Sequence, residues 1–120
     1  MKKVLILDRD PSFREAVESL LTKEGYSVLT ASTAEEGIAM AREEPFDVVL
    51  LDGGLGGAPS IPVLRQIHRI RPELPVIMIS GFYILDSVVE AMKEGAFDYL
   101  SKPPDSQRLL LVIRKAVGLI

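Results

Sequence analysis

Short apolar runs alternate with stretches of helical period from one end of the chain to the other. Val4–Leu7, Ser27–Ala31, Phe46–Leu51, Pro75–Ile79 and Phe97–Leu100 read as strands. Three of them are almost continuously apolar, as strands covered on both faces should be. The segments between them carry helix punctuation. Asp10 is placed to cap a first helix with Pro11 at its first position, and Phe13, Ala16, Val17, Leu20 and Leu21 form a stripe that ends at Gly25. Thr33 and Glu36 make a capping box, followed by Ala34, Gly37, Ile38 and Ala41 on one face. A third helix is expected over Ser60 to Arg71, ahead of Pro72. Leu85, Val88, Val89 and Met92 stripe a fourth that stops at Gly95, and Leu109, Val112, Ile113 and Ala116 stripe a fifth.

This alternation predicts an α/β domain of the (βα)5 type, with no linker, repeat or low-complexity segment. Right-handed crossovers turn it into a doubly wound, parallel five-stranded sheet covered on both faces. The expected strand order is 2-1-3-4-5, whose switch point places ligands beyond the carboxyl ends of strands 1 and 3.

Composition narrows the class. A chain of 120 residues fits one domain, large enough to bury roughly two-thirds of its unfolded surface. Its 48% apolar and 26% charged content is that of a soluble globular protein. No apolar run approaches the ~20 residues of a membrane helix, and the N-terminus lacks a signal-peptide pattern. The absence of cysteine excludes disulfides, thiol catalysis and zinc-thiolate sites, and it fits a reducing, cytoplasmic setting. A net charge of −3 argues against direct nucleic-acid binding by this domain. His68, the only histidine, sits in the basic run RQIHRIRP, where a solvated helix face is the expected setting.

Polar residues fall where the strands end. Asp8 follows strand 1, Asp52 strand 3, Ser80 strand 4 and Lys102 strand 5. Neighbouring parallel strands lie ~4.8 Å apart, so the four side chains should converge on one shallow cleft. Singly, Asp52 could start a turn, Ser80 could cap a helix and Lys102 could be a solvated amine. Together they point to a site.

The ordered set resembles the receiver domains of bacterial two-component response regulators, across essentially the whole chain. The resemblance rests on the acidic end of strand 1, on DVVLLD ending in Asp52, on PVIMISG with Ser80, and on GAFDYLSKP with Tyr99, Lys102 and Pro103. It is similar in particular to receivers that control enhancer-binding transcriptional activators. The resemblance implies that Asp52 is the phospho-acceptor, charged by a histidine kinase or a phosphotransfer protein. It implies Mg2+ held by Asp8, Asp52 and the backbone carbonyl of Gly54. Lys102 and Ser80 would hold phosphoryl oxygens, and Tyr99 would follow Ser80 inward. The face made by helix 4, strand 5 and helix 5 would then pass the state of Asp52 to an output domain or a homodimer, as an added charge that biases a two-state surface.

Two departures stand out. Receivers usually carry two adjacent acids after strand 1, and the second position here is Arg9, which cannot ligate a cation and repels one. Asp10 is needed as a helix cap, worth about 1 kcal/mol. The loop DGGLGGAPS places glycine at 53, 54, 56 and 57 where relatives usually have a proline, so the Gly54 carbonyl should be less fixed.

Three readings remain open from the sequence. Arg9 could occupy the metal's place by pairing with Asp52 or Asp8, making a phosphorylation-independent pseudo-receiver that binds protein. Arg9 could instead turn to solvent and leave a weak Mg2+ site in a working receiver. A flavodoxin-like electron carrier would share the topology, but Asp8 and Asp10 would repel a flavin phosphate, and Phe82, Tyr83 and Tyr99 are the available stacking groups. For the partner face, Leu111 is expected nearly opposite the buried stripe of helix 5, with Leu110 at its edge. The chain is expected to be the N-terminal regulatory part of a longer protein.

Overall fold

In the computed structural model, which describes residues 1–55, 60–81 and 85–120, strands and helices alternate throughout. They are β1 (Lys3–Leu7), α1 (Pro11–Lys23), β2 (Ser27–Ala31), α2 (Ala34–Glu43), β3 (Val48–Asp52), α3 (Ile61–Ile70), β4 (Val76–Ser80), α4 (Leu85–Lys93), β5 (Asp98–Ser101) and α5 (Ser106–Ala116). The sheet is parallel in the order β2-β1-β3-β4-β5, as the pattern predicts. Gly56 and Gly57, with Phe82 and Tyr83, lie outside the described residues.

The continuous apolar runs make sense once the sheet is seen to have two dry faces. Side chains alternate along each strand. Val4 and Ile6 of β1 enter the core beneath α1 and α5, while Leu5 and Leu7 enter the core beneath α2, α3 and α4. The central strands β3 and β4 divide their residues the same way. The helices supply the other half of each core, with Val17, Leu21, Leu109, Val112 and Ile113 on one side and Ile61, Leu64, Ile67 and Ala91 on the other. At Gly37 of α2, an added Cβ would lie 2.5 Å from Leu7 Cδ2, so only glycine lets α2 come this close to β1.

The helix starts follow the sequence. The Asp10 carboxylate accepts the Ser12 N–H at 3.0 Å, and Thr33 Oγ1 accepts the Glu36 N–H at 3.1 Å. Gly25 and Gly95, at φ of 88° and 95°, take the chain out of α1 and α4 in a left-handed turn.

Several expectations are corrected. Strands β3, β4 and β5 begin one or two residues later than the apolar runs and include Asp52, Ser80 and Ser101. The flanking residues bond outside the regular ladder: Asp47 uses its carboxylate to accept the Lys3 N–H, and Phe97 donates to the Val76 carbonyl. The apolar stripe of α4 does not face the core as a unit. Val88 and Ala91 turn inward, whereas Leu85, Val89 and Met92 are 70%, 43% and 44% exposed. Positions 85, 89 and 92 form a stripe of their own, rotated away from the 88–91 contact. His68 is half-buried rather than solvated, with Nε2 3.1 Å from the Leu74 carbonyl. Leu110 is partly buried at the rim of the α1–α5 core, where it lines a small pocket with Tyr26 and Leu119, and Leu111 is half-buried. Among the described residues no helix is long and apolar enough to cross a membrane.

Candidate functional site

The hydrogen-bonded ladder of the sheet runs one residue past its strands. Asp8 N–H donates to Ala31 O at 3.0 Å, Gly53 N–H to Ile79 O at 3.0 Å, and Lys102 N–H to Ser80 O at 2.9 Å. These bonds set Asp8, Asp52, Ser80 and Lys102 side by side at the carboxyl edge. The Lys102 ammonium donates to Asp8 Oδ2 at 2.7 Å and lies 3.5 Å from Asp52 Oδ1. The Asp8 side chain is only 2% exposed, against 20% for Lys102 and 13% for Asp52. A buried carboxylate without partners would be costly, and here each oxygen has one: Oδ1 accepts the Asp10 N–H at 2.9 Å.

Two residues of α1 complete this arrangement. Lys102 Nζ sits 4.5 Å from the centroid of the Phe13 ring, a cation–π contact that holds the amine over the pocket. Arg14 Nη1 donates to the Asp8 carbonyl at 2.7 Å and fixes the bend after β1. In the sequence Phe13 stands out only as part of a core stripe. Its position at the first turn of the helix that follows Asp8 is the signal that could have brought it to the site.

Asp52 is oriented by the loop that follows it. Its Oδ1 accepts the Gly54 N–H at 3.1 Å, and its Oδ2 has no partner among the described residues. Ser60, buried just before α3, staples the loop shut. Its hydroxyl donates to Asp52 O at 2.5 Å and accepts the Leu55 N–H at 3.2 Å, while its N–H donates to Gly53 O at 3.1 Å. At Gly53 an added Cβ would lie 2.7 Å from Ser80 Cβ and 2.9 Å from the Tyr99 hydroxyl. Tyr99 is buried on the α2–α4 face of the sheet, and its hydroxyl therefore reaches the residue next to Asp52.

Arg9 lies exposed between Asp8 and the helix cap, without an ion pair to Asp8, Asp10 or Asp52. Of the two readings of Arg9, the one in which it pairs with Asp8 or Asp52 is thus not what the structure contains; Lys102 pairs with Asp8 and approaches Asp52 instead. Arg9 does line the same open cleft, of about 640 Å³, together with Asp8, Asp10, Asp52, Gly54 and Lys102.

The carboxylates that line the cleft are those of Asp8, Asp10 and Asp52, with Gly54 in its wall, and both oxygens of Asp8 already have partners. Among the described residues no three His, Cys, Asp or Glu side chains gather into a metal-binding group. Mg2+ accepts one or two carboxylates and completes its shell with water, so this donor set fits a water-rich, weakened site.

A doubly wound α/β sheet with its charged crevice at the β1–β3 switch point defines the class. Within it, the chain belongs to the response regulator receiver domain family, which it matches over residues 4–114. It is 35% identical over 115 residues to the transcriptional regulatory protein ZraR of Salmonella typhimurium, covering 96% of this chain and 26% of that protein. The chain therefore spans about a quarter of the length of such curated relatives. Among solved structures it is similar to a CheY-like receiver domain protein from Methanospirillum hungatei JF-1, with a TM-score of 0.93, 32% identity, and coverage of 99% of this chain and 95% of that one. It is equally similar to the beryllofluoride-activated NtrC4 receiver domain dimer, with a TM-score of 0.93, 33% identity, and coverage of 99% and 98%. Receiver domains of response regulators are non-catalytic signalling modules that interact with kinases and output domains.

Proposed function

We propose that Asp52 accepts a phosphoryl group from the phosphohistidine of a histidine kinase or phosphotransfer protein. The observation that carries this reading is the set of Asp52: Oδ1 is held by Gly54 and faces Lys102, leaving Oδ2 open to the cleft. Oδ2 would attack phosphorus and form a P–O bond as the P–N bond breaks. The electron pair leaves with the imidazole nitrogen of the donor, and the product on Asp52 is an acyl phosphate. Lys102, near both carboxylates, would shift towards the new phosphoryl oxygens, and Ser80 would donate to another. Mg2+, held by Asp8, Asp52 and the Gly54 carbonyl, would neutralise phosphoryl charge when bound.

Tyr99, reaching Gly53 beside the acceptor, would carry the change to the face of α4, β5 and α5. Leu85, Val89 and Met92 on α4, together with Leu111, would form the apolar part of that face and meet an output domain or a second copy. The relatives favour control of transcription in the cytoplasm of a bacterium as the output, through a longer protein whose N-terminal regulatory domain is residues 1–120.

The test is incubation with phosphoramidate, with and without Mg2+, followed by intact mass measurement. One phosphoryl adduct is expected, absent in Asp52→Asn. A second reading, a protein-binding domain that is never phosphorylated, rests on Arg9 standing where an acidic metal ligand is expected; it is the one supported if wild type stays unmodified under every condition.

A further inference from the structure

We infer that Arg9 is a built-in counter-cation for the phosphoryl group, supplying the charge that a metal would otherwise bring. This rests on Asp52 being the acceptor. Arg9 is the cation of the cleft that the resting structure leaves unused. Lys102 is already engaged, at 2.7 Å from Asp8 Oδ2 and 4.5 Å from the Phe13 ring centroid. Arg9 has no ion pair with Asp8, Asp10 or Asp52, yet it lines the same cleft as the open oxygen of Asp52. Its guanidinium presents a planar fork of N–H donors suited to two phosphoryl oxygens at once.

The charge arithmetic points the same way. An acid at position 9 with a divalent cation on it adds one net positive charge to the pocket. Arginine at position 9 adds the same net charge with no ion at all. The cleft of this chain therefore carries, without an ion, the net charge that an acid at position 9 would have with its divalent cation bound, and it meets a phosphoryl group of about −1.5 to −2. Arg9 does not compete with Lys102 for the carboxylates at rest, because both oxygens of Asp8 are taken and Asp52 Oδ1 is held by Gly54. It engages when new anionic oxygens appear beyond Asp52 Oδ2.

The experiment uses beryllofluoride, in which an Asp52 carboxylate oxygen completes the beryllium tetrahedron, read by 19F NMR in EDTA and again in excess Mg2+. Wild type should form the adduct in EDTA. Arg9→Gln should weaken metal-free binding by about 10- to 100-fold, the worth of a charge-assisted hydrogen bond, and Arg9→Lys should restore part of it. Arg9→Asp should lose the metal-free adduct and gain Mg2+ affinity in a direct titration. Undiminished metal-free binding in Arg9→Gln overturns the inference. So does a wild-type adduct that forms only with Mg2+, which leaves Asp52 as acceptor intact. An absence of adduct in both conditions removes the acceptor reading and the inference with it.

Discussion

Replacing Gly53 with alanine should strain the hinge between the acceptor and the buried tyrosine. The new Cβ would lie 2.7 Å from Ser80 Cβ and 2.9 Å from the Tyr99 hydroxyl, whereas carbon atoms in contact prefer about 3.5–4.0 Å. The Ser80 Cβ is tied to the backbone of β4, so no change of rotamer relieves that contact. Residue 53 cannot retreat easily either, since its N–H is bonded to Ile79 O at 3.0 Å and its carbonyl accepts from Ser60 at 3.1 Å. Overpacking of this kind costs about 1–3 kcal/mol. Removing a glycine from the unfolded chain returns about 0.4–1 kcal/mol, so the net loss should be about 1–2 kcal/mol. At roughly 4 °C per kcal/mol the melting temperature should fall by about 4–8 °C. Urea unfolding should show a lower midpoint at constant slope. Tyr99→Phe removes one clashing atom and Ser80→Gly the other, so both should couple to Gly53→Ala, the second more strongly because the contact it relieves is rigid. An alanine variant as stable as wild type, or one that shows no coupling to either partner, would refute the packing account.

Three further outcomes are expected. Phe13→Leu should loosen Lys102 by about 0.5–1 kcal/mol and slow phosphoramidate labelling severalfold, with Phe13→Tyr restoring it; equal labelling in Phe13→Leu would dismiss the ring as a positioning group. Ser60→Ala leaves the Leu55 N–H and the Asp52 carbonyl without their side-chain partner, which should cost about 1–3 kcal/mol and speed amide exchange at Leu55; unchanged exchange there would count against the staple. Burial pushes the Tyr26 hydroxyl above the usual phenol pKa, with Arg114 opposing the shift and Glu24 adding to it. The unfolded chain therefore ionises first, so this contribution to stability is complete below about pH 10 and disappears as pH rises through the folded value. Phenolate absorbance should show a late-titrating tyrosine that is missing in Tyr26→Phe.

The parts of the fold that depend on alternation alone were legible in the sequence: strand order, helix caps at Asp10 and Thr33, and the gathering of Asp8, Asp52, Ser80 and Lys102 at one edge. What stayed hidden depends on which of several neighbours arrives first. Arg9 and Lys102 carry the same charge and face the same acids, and only the β5 geometry shows that lysine reaches Asp8. The α4 pattern of 85, 88, 89 and 92 spans two faces, and a helical period cannot say which one the sheet will choose. Phe13 and Ser60 look like a core residue and a helix start. Their contacts with Lys102 and with the Asp52 loop exist only in three dimensions.

The ion pair between Lys102 and Asp8 joins residues 94 positions apart. A chain emerging from the ribosome exposes Asp8 and Asp52 long before their shared cation has been made. Until β5 docks beside β4, two acids stand together at the sheet edge with nothing between them. Assembly of the pocket thus waits for the last strand, and a nascent chain that ends before Lys102 has a strand-1 carboxylate it cannot bury. Docking of β5 and competence for signalling become one event.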